Sequence, residues 1–243
     1  MSSFLPNPTT PEGALLSASL ASAITYQFLV RSRPSWPRAI IKTASTSLLS
    51  LTTYFYNGPS LLVGALALGS LGDAFLAWDD DKSFLFGLSS FLIAHILYIA
   101  LFFHSEIAAG DLSSKFYLLL THSQARTWVA GALAGTVPGM IRQLWPRVGN
   151  ELRIPVVLYS IVIYIMGNMA LTVKSDRVVV GAVMFTASDS ILAAGKFLVE
   201  VPAGEKDVKK KREYELLKTV MAHAVWVLYY GGQLLIALGV LDL

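Results

Sequence analysis

The stretch FLFGLSSFLIAHILYIALFF, residues 84–103, contains no Asp, Glu, Lys or Arg and decides the fold class. A helix of about 20 apolar residues, rising 1.5 Å per residue, crosses the roughly 30 Å hydrocarbon core of a bilayer. The whole chain of 243 residues has the same character, with 54% hydrophobic residues, 14% charged residues and a mean hydropathy of +0.58. These values lie outside the usual composition of soluble domains and indicate an integral membrane protein.

Seven further apolar runs accompany this stretch, so the sequence predicts an all-α, polytopic membrane bundle of about eight transmembrane helices. The chain is interpreted as a single transmembrane domain covering residues 1–243. The predicted spans are 13–30, 38–56, 60–78, 83–103, 125–142, 153–173, 178–199 and 217–239. The chain has no cysteine, which excludes disulfides and thiolate metal sites.

Charge in the loops predicts the orientation of these spans. Most Lys and Arg residues fall in the odd-numbered loops, including the basic loop 204–213, and few fall in the even-numbered loops. By the positive-inside rule, the odd-numbered loops are expected to be cytoplasmic. The basic loop is interpreted as a solvated loop that orients the chain, with binding to anionic lipid headgroups as the alternative.

Short matches in the same order indicate that residues 13–103 and 125–239 are two repeats of four helices. The matched segments are Trp36-Pro37-Arg38 with Trp145-Pro146-Arg147, Val63-Gly64-Ala65 with Val180-Gly181-Ala182, Asp73 with Asp189, and Ala94-His95-x-x-Tyr98 with Ala222-His223-x-x-Trp226. An even-numbered repeat keeps its orientation, which would relate the halves by an axis along the membrane normal. Asp73 and Asp189 are therefore expected to face each other.

These two aspartates are the expected centre of the chemistry. A carboxylate at membrane depth costs about 2.5–3.5 kcal/mol on insertion scales and normally turns toward a cavity or a partner. Each aspartate has a hydroxyl three residues earlier on the same helix face, Ser70 or Thr186. The alternative is that each hydroxyl bonds its aspartate and the pair only holds helices together. Two carboxyl groups in one cavity, one protonated and one ionised, are typical of acid-catalysed hydrolysis through an oxocarbenium-like transition state.

Other polar residues at membrane depth are candidates for supporting roles. His95 and Tyr98 share one face of the fourth span, where they could position an acid or a water, or form a buried core pair. His223 has a weaker claim because its neighbour Trp226 is interpreted as an interface anchor. Lys42 is expected to snorkel to the membrane surface, or to pair with a lipid phosphate. The remaining candidates are Ser188, beside Asp189, and Tyr159, Tyr164 and Asn168, which packing hydrogen bonds mostly explain.

Three segments together resemble a known family, the YhhN-like lysoplasmalogenases. The segments are Gly72-Asp73, Phe84-x-x-Gly87-Leu88-x-x-Phe91-x-x-Ala94-His95-x-x-Tyr98, and Gly181-Ala182-x-x-Phe185-x-x-Ser188-Asp189-Ser190. The resemblance covers spans two to eight. It implies a membrane hydrolase that cleaves the vinyl ether of lysoplasmalogens to a fatty aldehyde and a glycerophospho-ethanolamine or -choline, with its paired acids at Asp73 and Asp189.

This implied reaction agrees with the chemistry of two carboxyl groups. Protonation of the vinyl-ether β-carbon gives an oxocarbenium ion, which water converts to a hemiacetal that collapses to aldehyde and alcohol. The expected partner is a lysophospholipid substrate, without a cofactor and without nucleic acid, in the endoplasmic reticulum or another internal membrane if the chain is eukaryotic. No metal is expected, because no helix carries a His-x-x-x-His or His-x-x-Glu-His spacing.

Other functions use the same features. A transporter or lipid scramblase also suits parallel repeats with acids at mid-membrane. An intramembrane aspartyl protease is less favoured because Ser70-Leu71-Gly72 precedes Asp73 in place of a Gly-x-Gly signature. A scaffold with purely structural acids is a further alternative. Spans three and seven should run in the same direction, with the odd-numbered loops cytoplasmic, so Asp73 lies about 7 Å of helix rise from the cytoplasmic end of its span. A cavity that opens toward the cytoplasmic leaflet is therefore predicted.

Overall fold

The computed structural model describes residues 9–104, 123–199 and 207–242. Within these ranges the chain forms eight α-helices and no strand, as predicted for an all-α bundle. The helices are α1 (Pro11–Leu29), α2 (Trp36–Phe55), α3 (Ser60–Phe75), α4 (Asp81–His104), α5 (Gln124–Leu144), α6 (Asn150–Ala170), α7 (Asp176–Phe197) and α8 (Val208–Val240). Each predicted span overlaps one helix, in the same order.

Four of the described helices, α4, α6, α7 and α8, are long and apolar enough to cross a membrane. Helix α3 is apolar but has only 16 residues. The chain is therefore a helical membrane bundle, and the crossing of the bilayer by all eight helices stays a prediction.

The helix boundaries differ from the predicted spans by at most three residues, except at the start of α8. Helix α3 ends at Phe75, three residues early, because the chain turns there and the Arg38 guanidinium binds the carbonyl of Ala77 at 2.6 Å. Helix α8 begins at Val208, so most of the predicted basic loop 204–213 is helical. The Asp207 carboxylate caps this helix by accepting a hydrogen bond from the Lys209 amide at 2.8 Å. Residues 204–206 lie outside the described residues.

The helices pack in the same order in both halves. Helix α2 packs on α1 and α3, and α3 packs on α4; in the second half α6 packs on α5 and α7, and α7 packs on α8. The halves meet where α4 packs on α6 and where α8 packs on α1 and α2. This order agrees with the predicted pair of repeats, although the duplication itself stays a prediction.

Helices α7 and α8 approach each other closely at two glycines. A Cβ atom built on Gly181 would stand 2.7 Å from the carbonyl oxygen of Gly232, and one built on Gly232 would stand 2.7 Å from that of Gly181. Small residues at this crossing let the two backbones approach, as is usual in membrane bundles. This contact holds α8, which carries Tyr229, against α7.

Candidate functional site

A cavity of about 520 Å³ lies between the helices and has both Asp73 and Asp189 in its wall. The wall continues to residues at the ends of the helices, among them Arg31 before α2, Asp80 before α4 and Lys196 near the end of α7. The cavity therefore opens at the end of the bundle that carries the odd-numbered loops, as predicted. That this end faces the cytoplasm stays a prediction.

Asp73 is buried on α3, with a relative exposure of 1%. Its Oδ2 accepts hydrogen bonds from the Tyr229 hydroxyl at 2.7 Å and the Thr46 hydroxyl at 2.9 Å. The Nζ of Lys42 lies 3.4 Å from Oδ1. An ammonium and two hydroxyls thus surround this carboxylate.

The position of Lys42 corrects the sequence interpretation. Lys42 does not snorkel to the surface, since it is only 8% exposed and lines the cavity beside Asp73. A buried ammonium is tolerated where a carboxylate supplies the counter-charge, as Asp73 does here. Helix α2 places Lys42 and Thr46 on the same face because they are four residues apart.

Asp189 lies on α7 in a different environment. Its Oδ2 accepts a hydrogen bond from the Tyr159 hydroxyl of α6 and lies 3.9 Å from Nε2 of His95. Its side chain is 12% exposed, and it lines the cavity. No lysine or arginine in the described part of the chain lies within ion-pair distance of Asp189.

His95 stands behind Asp189 and does not line the cavity. Its Nδ1 lies 2.6 Å from the carbonyl oxygen of Phe91, and since a carbonyl only accepts, Nδ1 carries a proton. Its Nε2 is buried and has no hydrogen-bond partner in the described residues. The imidazole is therefore placed to act on Asp189 and not on a molecule in the cavity.

Each acid is contacted by a side chain from the other half of the chain. Asp73, in the first half, accepts a hydrogen bond from the Tyr229 hydroxyl of α8. Asp189, in the second half, has His95 of α4 at its back. Both acids line one cavity, which is the arrangement that the sequence predicted.

The hydroxyl neighbours of the acids do not bond them. Ser70 donates to the carbonyl of Thr43 at 3.1 Å, and Thr186 donates to the carbonyl of Ala182 at 2.9 Å. The alternative, in which each aspartate is bonded by the hydroxyl three residues earlier, is therefore wrong. The backbone carbonyls within reach of the two hydroxyls satisfy them.

The other predicted supporting residues do not contact either aspartate among the contacts of the described residues. Ser188 donates to the carbonyl of Val225 at 3.0 Å, across the α7–α8 contact, and lines the cavity. Tyr98 is fully buried outside the cavity and donates to the side-chain oxygen of Gln233. Asn168 donates to the carbonyl of Tyr164 at 2.9 Å, and Tyr164 packs against a small apolar cluster. His223 is half-buried and does not line the cavity.

Sequence reasoning missed Thr46 and Tyr229 and misread Trp226. Trp226 is not an interface anchor, because it is 4% exposed, lines the cavity and donates to the carbonyl of Ala23 at 2.9 Å. Helical spacing was the signal that could have found them, since Thr46 follows Lys42 by four residues and Tyr229 follows Trp226 by three.

Within the described ranges, no three His, Asp or Glu side chains lie close enough together to bind a metal ion.

Comparison with known proteins places this site in a family. The model of the YhhN family matches residues 37–240, a range that contains both aspartates and their partners. The chain belongs to the YhhN family. The resemblance seen in the sequence is thereby confirmed. No solved structure matches the chain.

Several relatives of the chain carry a functional name. A protein of Mycobacterium tuberculosis named lysoplasmalogenase is 32% identical over 144 residues, which cover 57% of this chain and 50% of that protein. The lysoplasmalogenase TMEM86B of Rattus norvegicus is 29% identical over 213 residues, 86% of this chain and 75% of that protein. TMEM86B of Mus musculus is 30% identical over 176 residues, 70% of this chain and 68% of that protein. The chain thus spans about half the length of the mycobacterial relative that it matches.

Proposed function

We propose that this chain hydrolyses the vinyl-ether bond of lysoplasmalogens, giving a fatty aldehyde and a glycerophospho-ethanolamine or -choline. The observation that carries the proposal is the pair of carboxyl groups, Asp73 and Asp189, in one cavity but in different surroundings. Family membership and relatives named lysoplasmalogenase support the substrate class. The cavity volume, about 520 Å³, falls within the range of small-molecule sites.

The surroundings of the acids assign them different roles in this proposal. Asp73 is the permanent anion, because the Lys42 ammonium and two hydroxyl donors satisfy a carboxylate. Asp189 is the proton donor, because it faces the cavity without a cation and can hold a proton between turnovers. An anion near a proton donor is the arrangement that an oxocarbenium ion requires.

The steps balance with these two groups and one water. The Asp189 carboxyl gives its proton to the β-carbon, and the electrons of the double bond form the new C–H bond. The resulting oxocarbenium ion is stabilised by the Asp73 carboxylate. Water adds to the cationic carbon and returns a proton to Asp189, which leaves a hemiacetal. Its C–O bond to glycerol then breaks, the hydroxyl proton moves to the glycerol oxygen, and the aldehyde is released.

Tyr159 and His95 are positioning residues in this scheme. The Tyr159 hydroxyl bonds the Asp189 carboxyl, and the free Nε2 of His95 faces the same group from the side away from the cavity. Both restrict how the acid presents its proton to the β-carbon. We infer that substrate enters from the leaflet at the cavity mouth, which the loop charges predict to be the cytoplasmic one.

The test is aldehyde release from a defined 1-alkenyl-glycerophosphoethanolamine by purified protein in detergent. Asp189→Asn is expected to lower kcat at least 100-fold, in the range of general acid catalysis, and Asp73→Asn is expected to be similarly impaired. Lys82→Gln, which alters an exposed residue at the start of α4, is the control. Normal aldehyde release by either aspartate variant would contradict the proposal.

A second measurement tests whether a fixed acid delivers the proton. Hydrolysis in D₂O places one deuterium on the carbon next to the aldehyde carbonyl, and delivery from the Asp189 carboxyl should place it on one face of that carbon only. Racemic label would contradict proton transfer from a fixed carboxyl group.

A further inference from the structure

A column of polar residues on α2 leads from Asp73 toward the cavity mouth. Arg38, Lys42 and Thr46 follow one another at intervals of four residues and therefore share a helix face. Lys42 and Thr46 contact Asp73, and Arg38 lines the same cavity. Arg38 therefore stands one turn, about 6 Å of helix rise, nearer the mouth than Lys42.

Helix α8 supplies a second cation on another side of the cavity. Lys218 lines the wall and precedes Tyr229 by eleven residues, or three helical turns. It is half-buried, and its long side chain belongs to the part of the wall nearest the mouth. Arg38 and Lys218 thus bring two positive charges to the entrance from two helices that pack together.

Two other cations at the mouth already have carboxylate partners. The Arg31 guanidinium lies 2.8 Å from Glu215, and Lys196 Nζ lies 3.5 Å from Asp81. Their charges are locally neutralised, so neither leaves much attraction for a further anion.

Arg38 and Lys218 have no such compensation. The Arg38 guanidinium donates to the carbonyls of Ala77 at 2.6 Å and Val30 at 3.3 Å, both neutral acceptors, and its Nε has no hydrogen-bond partner. Among the residues that the structure describes, neither cation lies within 4.0 Å of a carboxylate oxygen. The entrance therefore holds two cations that have no carboxylate partner among the described residues.

Two carboxylates also lie on this rim, Asp79 and Asp80. Asp80 accepts the amide of Ser83 at 2.9 Å and so begins α4. Neither reaches the two cations within ion-pair distance, so the rim carries separated charges of both signs. A zwitterionic molecule could meet both.

We propose that Arg38 and Lys218 form a subsite for the phosphate of the lysophospholipid, at the mouth of the cavity that holds the two acids. This inference rests on the proposed function and identifies specificity-determining residues for it. In a 1-alkenyl glycerophospholipid, only the three glycerol carbons and their oxygens separate the vinyl ether from the phosphate, a span comparable with one helical turn of about 5.4 Å. With phosphate at Arg38, the vinyl ether would lie about one helical turn deeper in the cavity, at the level of Lys42 and Asp73. Arginine suits phosphate because its planar fork donates two parallel hydrogen bonds.

The experiment compares two substrates that differ only in the headgroup, 1-alkenyl-glycerophosphoethanolamine and 1-alkenylglycerol, in micelles that contain no anionic lipid. The measured quantity is the ratio of kcat/KM for the two substrates. Wild-type protein is expected to prefer the phosphate-bearing substrate. Arg38→Gln and Lys218→Gln should each lower this ratio about tenfold, through KM for the phosphate-bearing substrate.

The matched control is Arg33→Gln, which removes an exposed cation from the loop before α2 without touching the cavity wall, and its ratio should match wild type within twofold. Equal losses on both substrates, in both variants, would overturn the subsite, because a structural role affects both substrates alike. Lys218→Gln keeps the test decisive if Arg38→Gln folds poorly. Failure of the proposed function gives a different result, since wild-type protein would then release aldehyde from neither substrate.

Discussion

Replacing Lys42 with methionine tests the buried ion pair directly. Methionine fills a similar volume but removes the ammonium, which leaves the Asp73 carboxylate buried without its cation; the side chains are 11% and 2% exposed. Breaking a buried ion pair from one side costs about 3–5 kcal/mol. The hydroxyls of Tyr229 and Thr46 still donate to Asp73, so we expect the lower end of this range.

A loss of about 3 kcal/mol corresponds to a roughly 100-fold change in the unfolding equilibrium, since 1.4 kcal/mol is a factor of ten. The measurement is reversible unfolding in mixed micelles with a rising fraction of denaturing detergent, followed by tryptophan fluorescence. The matched control is Lys82→Met, at an exposed position, for which we expect a change below about 0.5 kcal/mol.

The double variant Lys42→Met, Asp73→Asn separates stability from chemistry. With both charges removed, most of the lost stability should return, because no unpaired carboxylate remains. Aldehyde release should stay lost, because the anion is absent. The reasoning is refuted if Lys42→Met unfolds like wild type, or if the double variant is no more stable than the single one.

Three further outcomes follow from the site and from the helix packing. Tyr159→Phe removes the hydrogen bond to Asp189, and we expect kcat to fall about tenfold with little change in KM; an unchanged kcat would show that the hydroxyl does not position the acid. Gly181→Ala drives a Cβ to 2.7 Å from the Gly232 carbonyl oxygen, so the free energy of unfolding should fall by at least about 2 kcal/mol; wild-type stability would contradict the close α7–α8 contact. Gly135→Ala, where no atom outside its own helix lies within 4 Å, is the matched substitution on α5 and should raise helix stability by up to about 1 kcal/mol; a loss there would mean that this face is packed.

The sequence could predict features that depend only on a residue and its neighbours in the chain. Asp73 and Asp189 stand out because an acid in an apolar run is expensive wherever it lies, and this needs no knowledge of its neighbours. The eight helices follow for the same reason, since length and hydropathy are local. The cavity mouth followed from the charges of the loops and the parallel direction of α3 and α7.

The partners of the acids could not be predicted in the same way. Tyr229 bonds Asp73 from 156 residues away, and this contact depends on the packing of α8 against the first half of the chain, where it meets α1 and α2. Lys42 lies near a helix end, where snorkelling is the ordinary behaviour of lysine. The Lys42 side chain points inward because Asp73 lies beside it in the folded bundle, which the sequence does not show. Sequence spacing also missed the cap at Asp207, because a run of lysines after it is typical of a loop.

The exchange of Tyr229 and His95 between the halves has a consequence for how this protein could have arisen. Neither four-helix segment contains a finished site, so under the predicted duplication a single ancestral segment could have worked only as two copies side by side. Fusion of the copies would then have freed one acid to acquire Lys42 while the other kept an imidazole behind it. Two separate polypeptides, divided between residues 104 and 123, should accordingly be inert alone and regain turnover when produced together in one membrane.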